Sequence, residues 1–216
     1  MGKVMRIEKY AAGLLAGLLM GLSWAASAQA LPQIREFYFD TDPAAAPMQA
    51  VDAALPDVVD QLARQRTRGR RMVEATVQLA GIAAAGGRQE LASSLFNEAL
   101  ASAPANTVSG RSVRWNMGWF AFRNGDHAGA RQLWAAALDS ARGQPSWAPP
   151  TLALLSDAEG DTDEAVKWFA AAVRTEPQLW SDPANFERLL PAWTPAERQA
   201  LTRIHQAWVA APPAWP

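Results

Sequence analysis

Two histidines, His127 and His205, are the only imidazoles in a chain of 216 residues that contains no cysteine. A nucleophile triad or a histidine-built metal site needs more imidazole than this. Thiol nucleophiles, iron–sulfur clusters, cysteine zinc sites and disulfides are excluded outright. The sequence also lacks a glycine-rich phosphate loop, a G-x-S-x-G elbow, an H-E-x-x-H pair and any carboxylate pair whose spacing specifies a site. No catalytic residue, cofactor or metal is therefore expected. A pair of carboxylates brought together in space, as in a glycan-processing enzyme, leaves no mark on spacing and stays open. His127 beside Asp126 reads as an exposed, capping turn residue, and His205 as packed or half-buried on the last helix.

The remaining chemistry is that of binding. Trp115, Trp119, Phe122 and Arg123 fall at i, i+4, i+7 and i+8, which places large aromatic rings on one helical face with a cation beside them. Either these rings anchor an extended or helical peptide, or they pack against neighbouring helices of the same chain. Arg64, Arg66, Arg68, Arg70 and Arg71 concentrate positive charge in eight residues. Such a patch could receive an anionic partner, or it is a solvated helix end balanced by Asp57, Asp60 and Glu74. Asp157, Glu159, Asp161, Asp163 and Glu164 form an acidic cluster at the last hairpin turn that lacks EF-hand spacing, and acids at a helix N-terminus account for Asp163 and Glu164. The formal net charge of −1 argues against a general nucleic-acid binder.

The elements that carry these residues repeat. Gly87, Gly125 and Gly160 each precede, by five residues, an alanine: Ala92, Ala130 and Ala165. Four residues on stands an aromatic (Phe96, Trp134, Phe169), and three further a second alanine (Ala99, Ala137, Ala172). A glycine that ends one helix, a polar residue that begins the next and a small residue where the two cross describe a helix hairpin. Pro104 and Pro177 stop the second helix, while the middle repeat reaches Pro145 three residues late.

At these positions the chain resembles the tetratricopeptide repeat (TPR) family. Ala165-x3-Phe169 with Pro177 and Ala92-x3-Phe96 with Pro104 match the second half of that repeat, and Met117-Gly118 stands at its Leu-Gly pair. Leu79-Ala80 and Leu152-Ala153 are weaker versions, and Ala83, Ala121 and Ser156 replace the family's tyrosine. The resemblance covers about residues 70 to 177. It implies an all-α fold, a short right-handed superhelical solenoid of about three TPR-like hairpins with N- and C-terminal capping helices. It also implies a concave face built from the first helix of each pair, so that Trp115, Trp119, Phe122 and Arg123 would line a groove with Trp147 on the next repeat.

Around this core, residues 1–30 carry Lys3, Arg6 and Lys9 ahead of an apolar stretch from Ala11 to about Ala26, closed by Ala28-Gln29-Ala30. That pattern is expected of a signal peptide cleaved after Ala30, or, if retained, of a membrane anchor. Removing those three bases and Glu8 from the 20 basic and 21 acidic residues takes the balance to about −3. Residues 31–56, with four prolines, read as an irregular lead-in with a short extended piece from Ile34 to Phe39 that docks on the domain or adds to a partner's sheet. Residues 57–177 then hold a leading helix from Asp57 to Gln65 and the repeats, 178–210 the C-terminal caps, and 211–216 a loose tail. Thr194, Pro195 and Glu197 spell a capping box with proline at the first helical position. The expected object is a periplasmic, non-catalytic module that binds another protein or a peptide segment, with membrane contact only if the N-terminal segment is retained. A membrane-anchored envelope assembly factor and a glycan-processing enzyme are the alternatives.

Overall fold

The computed structural model describes residues 31–214. The expected signal segment, residues 1–30, lies outside them. Among the described residues every regular element is helical, and no helix is long and apolar enough to cross a membrane. The order is α1 (Val58–Arg68), α2 (Met72–Ala85), α3 (Gln89–Ser102), α4 (Val108–Arg123), α5 (His127–Asp139), α6 (Ala148–Ala158) and α7 (Thr162–Thr175). Two short turns follow, α8 (Pro177–Trp180) and α9 (Phe186–Leu189), and then α10 (Pro195–Ala210).

Adjacent helices pair as hairpins, α2 with α3, α4 with α5 and α6 with α7, and α10 packs across α6 and α7. The turns are made by Gly87, Gly125 and Gly160, each at a φ between 73° and 84°, which side-chain-bearing residues enter at a cost. Asp126 and Asp161 then cap α5 and α7 by accepting the Gly129 and Glu164 amides. Ala92, Ala130 and Ala165 are fully buried at the crossings, with Phe96, Trp134 and Phe169 beneath them. In the middle hairpin Ser140 and the Gly143 turn end α5 before Pro145 is reached. Pro177 does more than stop a helix, because its fixed φ starts α8.

One apolar core runs from α4 to α10, a second lies among α2, α3 and α4, and a third joins α1 and α2 to the lead-in. The leading helix extends to Arg68, three residues beyond its expected end. The piece from Ile34 to Phe39 forms no strand; it docks. Tyr38 is buried against Trp168, its amide donates to Thr175 Oγ1 at 3.0 Å, and burial raises its phenol above the ordinary value. Just beyond it Asp40 makes an isolated bridge, pairing in parallel with Pro145.

Candidate functional site

From Tyr38 onward the lead-in crosses the hairpins as a strap, and it is held by side chains that read its backbone. Asn116 on α4 donates from Nδ2 to the Ala46 carbonyl at 3.0 Å and accepts the Met48 amide on Oδ1 at 3.4 Å. Gln78 on α2 accepts the Ala50 and Val51 amides and donates to the Val51 carbonyl, all within 3.0 Å. Asp42 is almost fully buried against the Arg111 guanidinium at 3.2 Å, and it also takes the Trp147 indole N–H at 3.4 Å. A buried pair of this kind is costly to break from one side, because the partner is left charged and dry.

Beside the strap lies a groove of about 1010 Å³, larger than most small-molecule sites, which run to roughly 300–1,000 Å³. Its walls carry Trp115 and Trp119 from α4, Trp147 at the start of α6, Trp180 on α8 and Trp193 ahead of α10, with the strap and α2 opposite. Trp119 is the hub. Its ring meets Trp115, Phe122, Trp134 and Trp193 edge-to-face at 5.0–6.0 Å, and it is only 6% exposed. Gly118 makes this possible, because a Cβ there would overlap the Trp134 indole.

The expected groove residues do not all share one role. Trp115, Trp119, Arg123 and Trp147 do line one groove. Phe122 does not: the stripe that faces the groove runs through Asn116, Trp119, Phe120 and Arg123, and Phe122, one face over, packs on His127 and Trp134. Arg123 is not free to orient a ligand. It stacks over Trp119 at 4.9 Å and is bound bidentately by Glu197 at 2.9 and 3.1 Å. Burial pushes the Glu197 carboxyl up, but the hydrogen bonds from Arg123 and the Thr194 amide outweigh it and hold the group below its ordinary value. The capping box that the sequence predicts for α10 is thus also the anchor of the groove wall.

The arginines do not gather into one anion site. Arg64 faces Asp57 at 3.9 Å, Arg66 grips Glu98 on α3 with two bonds, and Arg71 donates to the Ala50 and Gln49 carbonyls of the lead-in. Arg68 and Arg70 stand exposed. Balance comes from Asp57 as expected and from Glu98, a non-local partner. Among the described residues no three His, Cys, Asp or Glu side chains gather as metal ligands. His127 is the first residue of α5 while Asp126 does the capping, and His205 bonds the Ser181 carbonyl. Asn116, Gln78, Trp180 and Trp193 are not legible in the sequence as site residues. Two carboxamides at mid-helix are the available signal, since such groups can both donate to a carbonyl and accept an amide. Comparison with family models, with curated proteins and with solved structures found no match.

Proposed function

We propose that the chain is a non-catalytic interaction module of the bacterial periplasm or cell envelope, a TPR-like adaptor whose groove receives an extended segment of another protein. The carrying observation is the aromatic groove itself: tryptophans from four separate stretches of chain converge on a trough of peptide dimensions. Aromatic anchors of this size dominate the energetics of many interfaces. The Gly–Ala–aromatic spacing and the hairpin pairing support a short right-handed TPR-like solenoid. Lys3, Arg6 and Lys9 before the apolar stretch and Ala28-Gln29-Ala30 support export with cleavage after Ala30.

The test is a selection of randomised peptides displayed on phage, run on the full chain and on a Trp115→Ala, Trp147→Ala variant of matched helicity. Trp119 is left intact because its loss would open a core cavity costing about 3–5 kcal/mol. Peptides enriched on the parent and absent on the variant are expected. Equal enrichment on both, or none on either, overturns the groove as the binding site.

A further inference from the structure

We infer that the segment this groove receives carries an arginine side chain, which pairs with Glu176 where α6 and α8 wall the trough. The inference rests on the groove reading above and adds the chemistry of the occupant.

Three charged side chains line the groove, and two of them are spent. Asp42 is held by Arg111, and Arg123 by Glu197. The third, Glu176, is half-buried, and its carboxylate forms no hydrogen bond or ion pair among the described residues. Two pairs that cancel and one acid that does not leave the trough negative. A partly desolvated carboxylate attracts a cation more strongly than one in open water. An occupant with a positive side chain is therefore favoured, and an acidic one is repelled.

The place of the acid argues that it serves a ligand. Glu176 ends α7, and the negative pole of a helix favours a cation there over a carboxylate. By that rule Arg174 in the last turn is well placed and Glu176 is not. The chain keeps the acid at this point and spends its side chain on no contact of its own. Its backbone, in contrast, is fixed from both sides: the Glu176 amide donates to the Ala172 carbonyl, and the Glu176 carbonyl accepts the Leu179 and Trp180 amides of α8. The carboxylate is thus mounted on a rigid junction before any ligand arrives.

The molecule already shows the expected pairing once. Arg123 lies over the Trp119 ring at 4.9 Å while Glu197 grips it with two hydrogen bonds at 2.9 and 3.1 Å. Glu176 shares its trough with Trp147, whose half-buried indole is pinned by Asp42, and has no guanidinium bonded to it. Arginine suits such a seat better than lysine, because its planar fork meets a carboxylate with two bonds and stacks on aromatic faces. Gln49 of the strap and Gln89 on α3 also line the groove, with carboxamides that bond nothing among the described residues. A carboxamide both donates and accepts. Gln78 uses both on the strap, and these two can do the same for the main chain of an extended occupant.

The experiment is a calorimetric titration of the full chain with an Ala-Gln decapeptide carrying arginine at its centre. Its citrulline counterpart, which keeps the shape and drops the charge, and its glutamate counterpart are run beside it. The set is repeated on Glu176→Gln and on Asp163→Asn, the same change of charge at the far end of α7, about 20 Å away by helix rise. The parent is expected to bind the arginine peptide about tenfold more tightly than the citrulline peptide, and the glutamate peptide more weakly still. Glu176→Gln should erase that preference, and Asp163→Asn should keep it. No binding of the arginine peptide, equal binding of citrulline, a preference that survives Glu176→Gln, or one that Asp163→Asn also removes overturns the inference. If Glu176→Gln does not fold, competition on the unaltered chain against a groove-selected phage peptide decides instead: displacement by the arginine peptide alone supports the inference, and equal displacement by citrulline overturns it. Phage peptides that depend on Trp115 and Trp147 yet carry no basic residue would sink this inference while leaving the interaction reading standing. Loss of groove dependence altogether would sink both.

Discussion

Glu197 does two jobs with one carboxylate. It closes the capping box by accepting the Thr194 amide at 2.7 Å, and it holds Arg123 across 74 residues of sequence. Because its folded pKa lies below the unfolded value, about 4.3, the stabilisation is fully present above that value and is lost as pH falls through the folded pKa. Arg123 is 43% exposed, so solvent screens much of the charge attraction, and the cap supplies the steadier share. Glu197→Gln is expected to cost about 1–2 kcal/mol at pH 7. Urea unfolding followed by circular dichroism should show the gap between parent and variant closing below about pH 4. A gap that is constant with pH would mean that the carboxylate's charge does nothing there.

At the scale of elements, two glycines separate backbone need from habit. Gly125 sits at φ 79° in the α4–α5 turn, whereas Gly81 lies inside α2, where an added Cβ would meet nothing within 4 Å. Gly125→Ala should destabilise by about 1–2 kcal/mol, while Gly81→Ala should stabilise by about 0.5–1 kcal/mol. Thermal melts of the two variants check the opposite signs. The hairpins are legible in the sequence because their determinants are local: a turn glycine, an alanine five on and an aromatic four further fit within one turn and one helix. Thr194 and Glu197 are legible for the same reason. Arg123 lines the groove as its spacing predicts, but its ion pair with Glu197 is not legible because that partner stands 74 residues away. Phe122 is misread because spacing fixes which residues share a face, not which neighbour that face meets. The strap leaves no periodic trace at all, since Asn116 and Gln78 bind main chain, whose identity no side-chain pattern records.

Across the whole molecule the strap is what joins the ends. Its backbone is fastened to α2 at Gln78, to α4 at Asn116 and to α7 at Thr175, so one irregular segment spans all three hairpins. Each hairpin otherwise meets chiefly its neighbours, an arrangement in which local segments open separately. Tyr38→Ala is expected to cost about 2–4 kcal/mol as a buried aromatic is lost. Hydrogen exchange should then show the Tyr38 and Asp40 amides exposed while amides within α2 and α3 keep their protection. Uniform loss of protection would mean that the strap and the hairpins form one cooperative unit.

That fastening also sets an order of events. A polypeptide is made from its N-terminus, so the strap emerges before any surface that holds it. Asn116 and Arg111 follow some 70 residues later, and Thr175 lies 137 residues beyond Tyr38. Helix hairpins close as they appear, since their contacts are near in sequence, whereas the strap must wait for the last of them. The first part of the domain to be synthesised is therefore the last to be seated. Until then the parts of α2 and α4 that the strap covers, at Gln78 and Asn116, stay uncovered.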